Sequence, residues 1–561
     1  MKCLFEVNDL AAASPATVSR IGVVYVTSSL LGWFPFVQTW SAITLDDAIP
    51  PQIKSHILSR FEEFVPTGLT WQRRYCTEPV ETVDIQLVVS LSAIFHSLFR
   101  SVSINDGSRT GGGGGDTGVK GLKPIIETGG ATPTYSTEEM QSLKVLADKV
   151  FAFAYVWSFG ASCSETDWDQ FDEYVREELM SPLSVNIPPM GRVFDFFVDL
   201  NGDAEAPGGP RGAFREWADI LDSFSYDPTL PFSQIMVPTV DTRRFSFVIT
   251  SLIRVMKPVF LTGHTGTGKT VLIQNLLKDL EPMSYDDPNG MGILPVLLSF
   301  SAQTRSRETQ GTIVAKLEKK RKNLLGAPAG RICVIFVDDV NMPVVETYGA
   351  QPPCELLRQF LDHRGFYDRE KLFWKDIVDT LMFVGAAPPG GGRQKITPRM
   401  SRFCNVLCMP SASDSALSLI FTSILGGFTA RFDAAIKTLV KGACDATIEL
   451  YRRISMELVP TPDKFHCTFN KKTLQLLSTM TILTLIVLFR IICFHGIVTF
   501  TPPNTHIYSL KLDNFNLRDV GSTIIAILTP IALLCWECYT YYLFVFMKTS
   551  YLLSRTLKNN F

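Results

Sequence analysis

Gly263-His264-Thr265-Gly266-Thr267-Gly268-Lys269-Thr270 is the stretch that decides the fold. The apolar run Pro258-Val259-Phe260-Leu261 precedes it, and Val271-Leu272-Ile273-Gln274-Asn275-Leu276-Leu277 follows. Strand, glycine-rich turn and helix in that order form a phosphate-binding loop. Its glycines let the backbone curl so that N–H groups face phosphate oxygens, and the helix N-terminus adds positive potential. The reading places Lys269 on the β- and γ-phosphates and Thr270 on Mg²⁺, so ATP and Mg²⁺ are the expected cofactors. Gly263, His264, Thr265, Gly266, Thr267, Gly268, Lys269, Thr270 and Val271 are the expected cradle.

A second element lies about 70 residues on, at Cys333-Val-Ile-Phe-Val-Asp338-Asp339. A buried strand delivers two acids at its C-terminal end, where open α/β sheets bind ligands. Asp338 is the expected Mg²⁺ ligand, directly or through water.

Around these motifs, residues 226–412 alternate strand and helix as a parallel α/β sheet requires. The expected strands are Val259–Leu261, Val296–Phe300, Cys333–Val337 and Leu381–Val384. Gln310 to Leu325 reads as a helix whose Lys316-Leu-Glu-Lys-Lys-Arg-Lys322 run is a solvated face. Residues 31–225 read as mainly helical, with Val80 to Val102 one helix and Ser136/Glu139 opening another to Trp157. Between them, Gly111 to Gly115 mark a flexible insertion that no strand feeds. Phe194 to Leu200 is a short strand and Asn201 to Arg211 a turn. Ile21 to Val26 is the strand that closes an earlier domain over residues 1–30. Ser413 caps a helix to Leu425, opening a helical subdomain over 413–470 that includes Phe428 to Met456.

The bulk numbers set limits. A chain of 561 residues holds several domains. A net charge of −2 gives no global field for nucleic acid, so none is expected as a partner. The 12 cysteines are scattered and Met1 to Ala13 is too polar for a signal peptide, which reads as reduced thiols in the cytoplasm. Cys535 and Cys538 have metal or redox spacing but no second pair nearby, and the seven histidines make no ligand spacing.

Val337-Asp-Asp-Val-Asn-Met-Pro343 and Tyr348-Gly-Ala-Gln-Pro-Pro-Cys-Glu-Leu-Leu-Arg-Gln-Phe-Leu-Asp362 resemble dynein heavy chains. So do Phe300-Ser-Ala-Gln-Thr304, Gly365-Phe-Tyr-Asp-Arg-Glu-Lys-Leu-Phe-Trp-Lys375 and Ala387-Pro-Pro-Gly-Gly-Gly-Arg393. Together they are similar to the third AAA+ module of axonemal dyneins, while Phe5 to Arg20 resembles the end of the second module's large subdomain. The resemblance covers roughly residues 1–470. It implies a ring of six AAA+ modules that moves toward microtubule minus ends, with a third module that binds ATP and regulates. It also implies partners: the other modules, dynein intermediate and light chains, and microtubules through the complete motor. The implied location is the cytoskeleton of the cilium or flagellum axoneme. The chain lacks the first module's P-loop and the microtubule-binding stalk, so the expectation is a fragment of a motor.

The resemblance also carries residue roles. Asp339 occupies the place of a water-orienting glutamate, one methylene shorter, which implies slow hydrolysis. Val237 to Asp241 line the adenine pocket. The sensor asparagine falls near Ala387, so its contact to the γ-phosphate is missing. Arg20 and Arg402 are arginine fingers acting on the preceding module's nucleotide. After Asn470 the family pattern breaks and resumes at Phe515-Asn-Leu-Arg518-Asp-Val520, then breaks again. The apolar stretches of 471–561 read as translated intron sequence; two membrane helices are the rival reading, interrupted by Arg490 and by Pro530 with Glu537. The other functional alternatives are a stand-alone nucleotide-binding interaction protein and a membrane-anchored AAA+ protein.

Overall fold

The computed structural model describes residues 4–457 apart from 8–9, 11–12, 27–30, 46–48, 107–136, 201–211, 230–234, 283–290, 348, 391 and 432–433. The glycine run, the turn at 201–211, Cys535, Cys538, Arg518 and the apolar tail lie outside the described residues. Every described element lies within the unit Met1–Thr484.

The N-terminal stretch forms one short helix, α1 (Pro15–Val18), capped by Ser14. Ile21 to Val26 is a correction: it is a bend followed by irregular chain, not a strand. Val24, Tyr25 and Val26 are 84%, 81% and 78% exposed. A β-prone run becomes a strand only when neighbouring backbone groups pair with it, and no described strand does.

The helical body follows: α2 (Phe34–Ile43), α3 (Pro51–Tyr75), α4 (Asp84–Asp106), α5 (Thr137–Phe159), α6 (Trp168–Val175) and α7 (Ser181–Leu183), the last two joined by a π-turn at Arg176–Met180. Ile53, Ile57, Phe61, Val65 and Leu69 recur at helical spacing and give α3 one buried face. Every residue of α5 from Leu146 to Phe159 but Lys149 is buried, so α5 is the body's central helix. Gly68 of α3 permits the close approach, since a Cβ there would meet the Tyr155 hydroxyl at 1.9 Å. Trp157 meets Phe194 and Phe245 edge-on, with ring centroids 5.8 and 5.4 Å apart. The strands β1 (Phe196–Asp199) and β2 (Ala213–Glu216) pair antiparallel beside it.

The α/β region runs α8 (Val240–Arg254), β3 (Val259–Thr262), α9 (Lys269–Asp279), β4 (Ile293–Ser299), α10 (Ser306–Ala315), β5 (Glu318–Arg321), β6 (Leu324–Gly326), β7 (Ile332–Asp338), α11 (Pro352–His363), β8 (Gly365–Tyr367), β9 (Trp374–Val378), β10 (Thr380–Gly385), α12 (Pro398–Ser401) and β11 (Asn405–Cys408). Five strands form a parallel sheet in the order β11-β3-β10-β7-β4. Side chains alternate between its faces. Val259, Leu261, Val334, Phe336, Leu381 and Phe383 join the core shared with α8, α9 and the helical body. Phe260, Cys333, Ile335, Val337, Met382 and Val384 join the core with α10 and α11. Gln86 of α4 ties body to sheet, its side-chain amide donating to the carbonyls of Ser401 and Cys404, each at 2.8 Å.

Gln310 to Leu325 corrects a second expectation. The helix stops at Ala315, and Glu318–Arg321 is the edge strand of a four-stranded sheet in the order β5-β6-β9-β8. The lysine-rich run favours helix locally, but Leu324 to Gly326 pair in parallel with Asp376 to Val378 and carry the run into a hairpin. Finally, α13 (Asp414–Phe428), capped by Ser413 as expected, packs Leu417, Phe421 and Leu425 against Cys444 and Ile448 of α14 (Ala434–Glu457). Among the described residues, no helix is long and apolar enough to cross a membrane.

Candidate functional site: a phosphate-binding loop facing two aspartates

The site sits at the C-terminal edge of the parallel sheet. Strand β3 is fully buried and ends at Thr262. The chain then turns through Gly263, Gly266 and Gly268, with φ of +146°, +85° and +97°. Only glycine holds such angles without strain. At Gly263 the space is closed as well, because a Cβ would lie 2.6 Å from the Met409 carbonyl oxygen. Among the described residues, the N–H groups of Thr265, Gly266 and Gly268 donate to no protein group. That cradle of unpaired donors at the start of α9 fits a phosphate.

Lys269 opens α9 and is 8% exposed. Its Nζ donates to the carbonyls of Gly263 at 2.7 Å and His264 at 2.8 Å, closing the loop on itself. Burial pulls its ammonium down to about 8, against the opposing pull of Asp338 and Asp339, while the positive charge of Arg393 lowers it further. Next to it, the Thr270 hydroxyl donates to Asp338 Oδ2 at 2.6 Å. Strand β7 delivers Asp338 beside the loop, although β10 lies between β7 and β3 in the sheet. Burial raises the Asp338 carboxyl above its ordinary value; the bond from Thr270 opposes this and the charge of Asp339 adds to it. A hydroxyl and a carboxylate side by side are the hard oxygen donors that Mg²⁺ selects.

Asp339 leaves β7 with φ +52°, a left-handed conformation uncommon outside glycine. Its backbone N–H donates to Asp338 Oδ1 at 3.1 Å. Its carboxylate faces Arg393, with Nη2 3.5 Å from Oδ1. Asn341 is 1% exposed and holds the loop after β10, its side-chain amide donating to the Ala387 carbonyl at 2.8 Å. Asn341 Oδ1 and Arg393 Nε are buried without a partner among the described residues. Val237 is buried two residues before Thr239, the N-cap of α8.

Lys269, Thr270, Asp338 and Asp339 thus converge, with Val271 on the first turn of α9. Arg20 and Arg402 are not drawn in. Arg20 is exposed after α1, and Arg402 caps α12 with its guanidinium 4.6 Å above the Phe403 ring. Arg393 and Asn341 were not singled out by the sequence. The available signal for Arg393 was a cation directly after a glycine run beyond a strand end, Gly390-Gly-Gly-Arg393.

A parallel sheet with a glycine cradle, a buried lysine and a strand-end aspartate bonded to the loop's threonine defines an α/β P-loop nucleotide-binding protein. Residues 224–412 match the P-loop containing dynein motor region, and residues 57–206 match the dynein heavy chain AAA lid domain. The chain is 37% identical over 472 residues to dynein axonemal heavy chain 6 of Homo sapiens. It is 34% identical over 496 residues to dynein axonemal heavy chain 1 of Mus musculus and 30% over 476 residues to dynein axonemal heavy chain 2 of Homo sapiens. These alignments take in 84%, 85% and 84% of this chain. The chain belongs to the dynein heavy-chain family, of axonemal type, and its P-loop region is a nucleotide site of the ATP type. It spans about a tenth of the length of the curated relatives it matches, 10% and 11% for the first two.

Proposed function

We propose that this chain is the ATP-binding, regulatory AAA+ segment of an axonemal dynein heavy chain. In that reading residues 1–30 end the second module's large subdomain and 31–225 form its helical small subdomain and linker. Residues 226–412 are the third module's large subdomain, 413–470 begin its small subdomain, and 471–561 stand apart. The observation that supports the nucleotide role most directly is the bond from Thr270 to Asp338 at 2.6 Å beside the buried Lys269.

Each residue has a defined task. The N–H groups of the loop take the phosphate oxygens, and Lys269 exchanges the Gly263 and His264 carbonyls for β- and γ-phosphate oxygens. Thr270 and Asp338 would hold Mg²⁺, which supplies charge neutralisation at the phosphates when bound. Asp339 is the acid placed to orient the attacking water. Its short side chain and left-handed backbone favour slow turnover over fast. Arg20 and Arg402 act on the preceding module's nucleotide rather than on this P-loop; both are exposed. Through the complete motor the segment serves microtubule-based movement in the axoneme, alongside the other AAA+ modules and the intermediate and light chains.

Lys269→Ala tests the reading. It should weaken Mg-ATP binding about a hundredfold, on the order of 3 kcal/mol. Titration calorimetry on the whole chain reads this directly, and unchanged ATP affinity would sink the assignment.

A further inference from the structure

Resting on the nucleotide reading above, we propose that Arg393 is this site's own terminal-phosphate sensor. It holds Asp339 in the state described and transfers to the γ-phosphate when a nucleoside triphosphate occupies the loop. It determines whether the site tells a triphosphate from a diphosphate.

The loop between β10 and α12 is built to present this side chain. Gly390 and Arg393 exchange backbone hydrogen bonds at 3.2 and 3.1 Å, closing a tight turn. Asn341 clamps it at both ends: its amide donates to the Ala387 carbonyl and its own carbonyl accepts from the Gln394 N–H at 2.9 Å. The Arg393 side chain is 22% exposed, and its Nε is buried without an acceptor among the described residues. Its ion pair with Asp339 Oδ1, the one it makes among the described residues, is long at 3.5 Å. A guanidinium offers five donors in a fixed fork and cannot lose its charge. An unmet buried donor on such a group is costly.

Two features point to a phosphate as the missing acceptor. Asp338 is already engaged by Thr270 and by the Asp339 N–H, so it does not supply one. Arg393 is also near enough for its charge to act on Lys269, whose task is the phosphates. Two cations held close together with too few acceptors suit a polyanion. The position beside Asp339 selects the terminal phosphate, because that acid faces the attacking water in the reading above. When the γ-phosphate takes the guanidinium, Asp339 is freed; with a diphosphate, Arg393 stays on Asp339. The Ala387 position, which offers no polar side chain, is thereby compensated six residues later on the same loop.

The experiment compares Mg-ATP and Mg-ADP binding to the whole chain by titration calorimetry, for the unaltered protein, Arg393→Ala and Arg393→Lys. Arg393→Ala should weaken ATP at least tenfold and change ADP less than twofold. Arg393→Lys should recover part of the ATP affinity. Equal losses for ATP and ADP, or no loss for either, would overturn the proposal while leaving the nucleotide site intact. Failure of the unaltered protein to bind either nucleotide would overturn the site itself and this proposal with it.

Discussion

In the helical body, rings do the packing. Trp168 stacks on Phe194 with centroids 4.3 Å apart, Tyr155 on Phe159 at 4.4 Å, and the buried polar atoms without partners include two indole nitrogens, of Trp157 and Trp168. At the phosphate edge of the sheet, by contrast, a buried lysine, two adjacent acids and an arginine share a small space, and the backbone takes left-handed angles at Gly263, Gly266, Gly268 and Asp339. The body gains by removing apolar surface from water, which needs no ligand. The edge holds donors and charges that its own acceptors do not exhaust, which is useful only when something else arrives. Substitutions should therefore separate the two: body variants should move stability and leave nucleotide affinity alone, and edge variants should do the reverse.

The largest effect belongs to the body. Trp157 is 1% exposed and wedged between Phe194 and Phe245. Trp157→Ala should lower unfolding stability by about 3–5 kcal/mol, seen as a lower urea midpoint. ATP affinity of the folded protein should be unchanged. A parallel loss of affinity would show that the body and the edge are energetically one region.

Gly263→Ala is the edge counterpart. The added methyl would meet a backbone oxygen, which cannot rotate away, at a φ of +146°. The free loop can relax out of the cradle to escape strain of about 1–3 kcal/mol, and binding must restore the cradle, so ATP should weaken roughly tenfold to a hundredfold with little change in the urea midpoint. Full retention of affinity would mean that the loop reshapes when phosphate binds and that its described form is not the binding form.

A pH titration sharpens the contrast without a mutation. The buried Lys269 ammonium titrates at about 8, and a phosphate that pairs with it raises that value. The bound state then holds the proton to higher pH than the free state, so affinity is full below the free value and declines as pH rises through it. ADP affinity should fall about tenfold between pH 7 and pH 9. In Lys269→Ala any residual binding should lack this slope, and a flat profile in the unaltered chain would place the charged lysine outside the binding step.

The edge was more legible in the sequence than the outlying segments, for a physical reason. A continuous apolar run such as Cys333 to Val337 needs burial on both sides, which only an interior strand supplies, and the loop glycines are dictated by local angles. Lys269 to Thr270 and Asp338 to Asp339 could thus be paired from spacing alone. Segments whose form depends on distant partners were not legible. Leu317 to Arg321 has the charge pattern of a helix and becomes an edge strand because β9 pairs with its hairpin mate. Ile21 to Val26 has strand composition, and among the described residues no strand joins it. The fifth strand, Asn405 to Cys408, is only four residues long beside a charged turn, too short to show a period. Arg393 escaped because its role comes from a loop closed by the bond from Gln394 to Asn341, a contact across 53 positions of sequence that no local pattern encodes.

The smallest expected effect tests the boundary of the site. Arg402 lies three residues before β11, which pairs with the strand β3 that leads into the P-loop, yet it is exposed, ends α12 and rests on Phe403. An arginine that served this P-loop would need to turn its guanidinium toward the phosphate cradle, as Arg393 does. Its proposed task lies on a preceding module's nucleotide, so this chain by itself should not register its loss. Arg402→Ala should change ATP affinity less than twofold. The cation–π contact with Phe403 is worth about 0.5–1 kcal/mol at an exposed position, so stability should shift by no more than that. A tenfold loss of ATP affinity in this variant would move Arg402 into the site and show that the phosphate edge extends along α12, beyond the cluster formed by Lys269, Thr270, Asp338, Asp339 and Arg393.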